Sequence, residues 1–237
     1  MSPFNFVSGE VLLIDKPMGW TSFDVVNKIR GAIRHYLKEQ GGDNALAAKK
    51  LKVGHAGTLD PLATGMLIIC TGKFTKKIDE YMAQEKEYTG TIQFGATTAS
   101  YDSETPVEQI FSTDTLTEEL IKGTSKQFIG TIQQVPPMYS AIKQDGKKMY
   151  ELAREGKTVE IKSREVTISA FDFTRIALPQ VDFRIACSKG TYIRSIANDL
   201  GKALNNGGYL SALRRTRIGE YKIEDAMTVD SFLALLK

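Results

Sequence analysis

Residues 54–70 read Gly54-His55-Ala56-Gly57-Thr58-Leu59-Asp60-Pro61-Leu62-Ala63-Thr64-Gly65, then Met66-Leu67-Ile68-Ile69-Cys70. The first part is a loop. Its glycines permit tight turns and close backbone approach by a ligand. Asp60 precedes Pro61, which biases it toward an extended conformation. A carboxyl group with a reference pKa of about 3.9 is ionised at neutral pH and needs no base to act as a nucleophile or to stabilise a cation. Taken alone, an Asp-Pro pair more often marks an ordinary turn. The apolar run behind the loop is strand-sized and reads as a buried strand.

On the N-terminal side, Gly9–Asp15 reads as a second short buried strand, and Pro17 and Gly19 as a turn. Thr21 and Asp24 form a variant capping box that opens a helix with an apolar stripe at Val26, Ile29, Ile33 and Leu37. Gly41-Gly42-Asp43-Asn44 ends it, and residues 38–51 read as a polar, Ala/Lys-rich loop. On the C-terminal side a short helix spans about 74–84. Tyr88, Gly90, Ile92 and Phe94 then alternate with polar residues as a strand. Residues 95–107 read as loop, 116–126 as a weak helix, and 130–150 as an irregular excursion with a turn at Asp145-Gly146. A short helix at 149–155 is followed by strands at 157–161, 165–173 and 181–187, with a bulge near Ala170-Phe171. Thr191 reads as the N-cap of a helix carrying Ile193, Ile196, Leu200 and Leu204. Two strands around Gly219 and a helix at 232–236 close the chain. Strands and helices mix without a βαβ rhythm, so the expected class is α+β with a central mixed or mostly antiparallel sheet flanked by helices.

The chain has 237 residues, 42% of them hydrophobic and 25% charged, which excludes disordered and collagen-like classes. One domain spanning 1–237 is expected. No apolar run approaches the ~18 residues of a membrane span, and no secretory signal is visible. Cys70 and Cys187 are far apart in sequence, and His35 and His55 are the only histidines, so neither a disulfide framework nor a metal knuckle is expected. The default compartment is a reducing cytoplasm. Net charge is +3, but residues 184–222 hold eight basic residues against Asp199 and Glu220. That asymmetry fits a surface for a polyanion, or a solvated basic face. If Thr191 is the N-cap, Arg194 lies in the first helical turn, where a cation opposes the helix dipole by ~0.3–1 kcal/mol. A nearby carboxylate or phosphate would remove the conflict.

The stretch GHAGTLDPLATG resembles the signature of pseudouridine synthases, specifically the bacterial tRNA pseudouridine-55 synthase family. Further stretches match in the family's order: Leu13–Ser22, Glu85–Tyr88, Val135–Ala141, Ser188–Ser195 and Leu213–Gly219. The resemblance covers roughly residues 9–225. It implies the pseudouridine synthase fold and an isomerase that converts the uridine at position 55, in the T-loop of tRNA, into pseudouridine. Such an enzyme uses no cofactor, and the sequence carries no Rossmann or P-loop glycine pattern.

Site residues carry over position by position. Asp60 matches the catalytic aspartate, which would act at C1′, as carboxylates do in glycosidases, or at uracil C6. Arg194 matches the arginine that pairs with it. Tyr88 matches the tyrosine that packs on the target base and is a candidate to help remove the C5 proton. His55 matches the histidine that supports the flipped nucleotide, and Tyr192 and Leu213 match pocket-lining positions. Lys16 matches the lysine of the first motif, as support for the aspartate loop or a phosphate contact. The excursion at 130–156, with Lys143, Lys147 and Lys148, corresponds to a mobile segment that clamps the RNA stem-loop, and Arg214 and Arg215 would extend that surface. The implied partner is the tRNA T stem-loop, with no membrane and no obligate protein partner. Many relatives continue into a small C-terminal RNA-binding domain, which is expected to be absent. Competing readings are a guide-RNA-dependent relative, disfavoured by compactness and the lack of basic tails, and a non-catalytic tRNA-binding or folding module, disfavoured by the presence of both Asp60 and Arg194.

Overall fold

A computed structural model describes residues 4–144, 146–157 and 159–236, apart from the side chains of Lys143, Gln144 and Lys148. The architecture is α+β with a mixed sheet flanked by helices. The chain divides into two compact units, one of Met1–Lys86 with Arg214–Lys237 and one of Glu87–Leu213.

In the first unit the apolar run 66–70 lies in the strand Thr64–Thr71, antiparallel to Val11–Lys16 with Leu12 opposite Ile69 and Ile14 opposite Leu67. Side chains alternate between the faces of a strand. Leu67 and Ile69 face one core with Leu12, Ile14 and the stripe Val26, Ile29, Ile33 and Leu37 of the helix Ser22–Glu39. Met66, Ile68 and Cys70 face another with Ala56 and Ile218, against which Phe74, Ile78 and Tyr81 pack. Both faces are covered, which is why the run is apolar without interruption. The capping box forms as expected: Thr21 Oγ1 accepts from Asp24 N, and the Asp24 carboxylate accepts from Thr21 N. Val53–His55 pairs antiparallel with Thr64–Thr71, Met227–Thr228 runs parallel to Val11–Lys16, and Arg214 and Arg215 pair in parallel with Thr64 and Gly65.

The expected loop at 38–51 is instead largely a second helix, Gly42–Lys50. It buries only Ala48, so it carries no apolar stripe to be read; its Ala and Lys content favours helix without one. The final helix is Val229–Ala234, earlier than expected, capped by Thr228.

In the second unit the sheet order runs from the first half of Gly208–Ile218 through Lys86–Phe94, Gln180–Cys187 and Arg164–Ala177 to Gly130–Gln134. The long hairpin of Arg164–Ala177 and Gln180–Cys187 is antiparallel, with register shifts between Ile168 and Ala170 and between Phe173 and Arg175, bracketing the expected bulge. Helix Ile193–Ala203 buries Ile193, Ile196 and Leu200. Thr191 is not its N-cap. Tyr192 holds that position, and Thr191 Oγ1 donates to Ser188 O at 2.9 Å, closing the preceding turn. The loop read at 95–107 contains a small hairpin, Ala96–Thr98 with Val107–Ile110, and Gly130–Gln134 is a strand where irregular chain was expected. No strand forms at 157–161 among the described residues, where Thr158 is not included. The expected turn rests on Asp145, which also lies outside the described residues; Lys143–Gln144 and Lys147–Lys148 pair as a short antiparallel ladder around it.

Candidate active site

The loop that carries Asp60 lies in the first unit. Leu59 is buried, Asp60 half-buried and Pro61 exposed. Leu59 N donates to Ser22 Oγ at 2.8 Å, and Ser22 Oγ donates to Leu59 O at 3.1 Å. Pro61 O accepts from Gly19 N at 2.8 Å and from Lys16 Nζ at 3.3 Å. Lys16 Nζ also donates to Trp20 O at 2.6 Å and Pro17 O at 2.9 Å. Lys16 is therefore a buried prop of the aspartate loop, not a phosphate contact. Burial pushes its pKa down to about 8, opposed first by the neighbouring Asp60 carboxylate and reinforced by Arg215.

His55 ends the strand Val53–His55, half-buried. Burial, then the Arg215 guanidinium, holds its pKa below the ordinary value, so the imidazole is neutral at pH 7.

Arg215 corrects the sequence reading. Expected on the RNA surface, it is 1% exposed, with Nε donating to Met66 O at 2.7 Å and Nη2 to Gly57 O at 3.0 Å. Arg214 is half-buried, and its fork meets Asp15 at 2.6 and 3.1 Å. The same holds along the basic segment. Arg217 pairs with Glu85 at 2.6 Å, and Arg184 with Glu87 and Asp172, both at 2.7 Å. Much of the positive charge at 184–222 is therefore matched by carboxylates distant in sequence.

Tyr88, Tyr192, Arg194 and Leu213 lie in the second unit. Tyr88 is buried on the same face of its strand as Ile92 and Phe94. Leu213 is half-buried. Arg194 is buried in the first turn of its helix. Nη1 donates to Ser100 O at 3.0 Å, Nη2 to Tyr139 O at 2.9 Å, and Nε lies 3.5 Å from Asp102 Oδ2. Sequence reading asked for an acceptor to offset the helix dipole; Asp102 supplies one, and nothing in its local sequence singled it out. Asp102 is itself held by Ser100 Oγ at 2.5 Å and Glu104 N at 2.9 Å, through Oδ1.

Tyr192 sits beside Arg194, whose guanidinium lies 5.9 Å from the ring centroid. The Gln134 side chain grips its backbone, accepting from Tyr192 N at 2.8 Å and donating to Tyr192 O at 3.0 Å. Arg164 lies over the ring at 4.6 Å. Gln134 and Arg164 were also missed, since each acts across strands remote in sequence. In the excursion, Lys147 is exposed and 3.9 Å from Glu155, while the Lys143 and Lys148 side chains lie outside the described residues. Among the described residues no cluster of His, Cys, Asp or Glu could hold a metal ion, and no helix is long and apolar enough to cross a membrane.

Comparison with known proteins gives the family. Residues 44–193 match the family described as TruB family pseudouridylate synthase (N terminal domain), and residues 194–237 match the tRNA pseudouridylate synthase B C-terminal domain. The chain is 56% identical to tRNA pseudouridine synthase B of Flavobacterium johnsoniae over 98% of both chains. It is 50% identical to tRNA pseudouridine synthase B of Phocaeicola vulgatus, over 96% of this chain and 93% of that one. Among solved structures, a chain from the crystal structure of a Cbf5-Nop10-Gar1 complex superposes with a TM-score of 0.70 at 27% identity. The match covers 97% of this chain and 54% of that one, so this chain spans about half of its length. On these matches, the chain belongs to the TruB family of pseudouridine synthases.

Proposed function

We propose that this chain is an isomerase that converts uridine 55, in the T-loop of tRNA, to pseudouridine. The observation that carries the reading is the 56% identity to a tRNA pseudouridine synthase B over 98% of both chains. The alternative that needs partner proteins has the weaker support, since the chain from the Cbf5-Nop10-Gar1 complex is only 27% identical.

In the reaction the C1′–N1 bond breaks, the uracil turns, and a C1′–C5 bond forms. The C5 proton leaves and N1 ends protonated, so the product has the atoms of the substrate and no electrons are exchanged. Asp60 is the catalytic carboxylate. It traps the C1′ cation that glycosidic cleavage creates, or adds to uracil C6; both routes use a carboxylate oxygen beside the extruded nucleoside. Extrusion costs a few kcal/mol of stacking, and His55, neutral and half-buried, supports the flipped arrangement. Tyr88 packs against the target uracil, and Tyr192 and Leu213 line the pocket. Arg194, backed by Asp102 at 3.5 Å, is the proposed counter-charge to the catalytic carboxylate during the reaction. Lys143, Lys147 and Lys148 meet phosphates of the stem-loop as the 130–156 segment closes on it. The tRNA is the partner, no protein partner is required, and the reaction takes place in the cytoplasm.

The test is incubation with an unmodified tRNA transcript, followed by carbodiimide treatment and primer extension. The expected result is a stop at the T-loop uridine without added cofactor or metal, lost in Asp60→Asn while tRNA binding persists. Binding without product on any tRNA would establish a non-catalytic module instead.

A further inference from the structure

We infer that Ser22 and Arg215 are positioning residues that hold Asp60 by clamping the backbone on its N-terminal side, completing a set of anchors at every second residue from 57 to 61. The inference rests on the proposed role of Asp60. Gly57 O is held by Arg215 Nη2 at 3.0 Å, and Leu59 is held through both its N–H and its C=O by Ser22 Oγ, at 2.8 and 3.1 Å. Pro61 O is held by Gly19 N at 2.8 Å. Asp60 thus sits between two anchored neighbours.

Both inferred residues are buried, at 2% exposure for Ser22 and 1% for Arg215, so neither is available to RNA. Arg215 also donates to Met66 O at 2.7 Å, so one guanidinium ties the start of the loop to the strand that follows it. Two glycines of the motif answer to this arginine. A Cβ on Gly65 would stand 2.3 Å from Arg215 O and 2.7 Å from its N, and one on Gly57 would stand 3.5 Å from Nη1. Both have positive φ, +103° and +101°. The close approach that Gly65 allows is therefore to the Arg215 backbone, while Gly57 meets the guanidinium at ordinary contact distance. Ser22 opens the helix Ser22–Glu39, whose stripe is anchored in the core, so the clamp on Leu59 is referenced to a rigid element.

Displacement of a reacting group by about 1 Å can cost about 10²-fold in rate. Ser22→Ala removes the acceptor of Leu59 N without changing charge, and Ser22→Thr restores a hydroxyl. The experiment measures single-turnover pseudouridine formation and tRNA affinity for wild type, Ser22→Ala, Ser22→Thr and Arg215→Lys, together with amide hydrogen exchange at residues 57–60. For Ser22→Ala the expected result is a rate about 10–100-fold lower at saturating tRNA, with affinity within about twofold and faster exchange at 57–60. Ser22→Thr is expected to recover most of the rate, and Arg215→Lys, where it folds, to behave like Ser22→Ala. An unchanged turnover rate, a loss through tRNA affinity alone, or unchanged exchange at 57–60 in Ser22→Ala overturns the inference. A wild type that makes no product overturns the proposed function instead; the clamp itself stands or falls on the exchange measurement.

Discussion

Arg194 Nε lies 3.5 Å from Asp102 Oδ2, and both side chains are buried, 92 residues apart in sequence. Removing one partner of a buried ion pair typically costs ~3–5 kcal/mol. Asp102→Ala also strips the acceptor from Ser100 Oγ and Glu104 N. Urea unfolding should show a loss of about 3 kcal/mol or more. A loss below about 1 kcal/mol would mean that the other partners of the guanidinium, the Ser100 and Tyr139 carbonyls among them, suffice for it.

Arg214 offers the opposite case, a basic residue of the charged segment whose fork is taken up by Asp15 at 2.6 and 3.1 Å. A lysine or arginine that neutralises a phosphate contributes about one unit to the salt dependence of RNA binding. Arg214→Gln should therefore leave the slope of log K against log salt unchanged within about 0.3, at a stability cost of about 1 kcal/mol or less for a partly exposed pair. A slope reduced by about one would return Arg214 to the RNA surface.

Lys16 makes stability depend on alkaline pH in an unusual direction. Its folded-state pKa lies near 8, below the ordinary 10.5. Between these values the unfolded chain binds a proton that the folded chain does not, so this group's contribution to stability rises with pH and is flat below about 8. Comparing wild type with Lys16→Met at pH 7.5 and 10 cancels the titration of Cys70 and Tyr81, which burial raises to about 11 and 12. The difference should move in favour of wild type by on the order of 2 kcal/mol. No movement would show that Lys16 keeps its charge throughout.

His55 behaves conversely at acid pH. Burial and then Arg215 depress its pKa, so the unfolded chain takes the proton first and the fold weakens as pH falls through about 6.5. Histidine-labelled NMR, with His35→Gln to identify the signals, should place the His55 midpoint below 6.5. A midpoint at or above that value would contradict a neutral imidazole beside Arg215.

What could be read from the chain were the features whose causes are local. The capping box of Thr21 and Asp24, the stripe of the helix Ser22–Glu39 and the alternation from Tyr88 to Phe94 all follow from periodicity or from neighbours a few residues apart. The helix Gly42–Lys50 was missed because a segment that buries one alanine has no stripe to reveal it. Thr191 was misjudged because its hydroxyl donates back to Ser188 O instead of capping the helix that follows. Asp60, Arg194 and their companions are candidates through ordered resemblance to a family, which residue physics alone did not supply.

The sequence by itself determined the buried apolar strand, the capping box of Thr21 and Asp24, and the family to which GHAGTLDPLATG belongs, because each depends on residues close together along the chain. Only the tertiary structure decided what the basic residues do: Arg215 enters the interior, Arg214, Arg217 and Arg184 meet carboxylates, and Lys16 props a loop 45 residues away. A cation's role depends on the acceptor it meets, and those acceptors are brought to it by strand pairing and turns that join distant parts of the sequence.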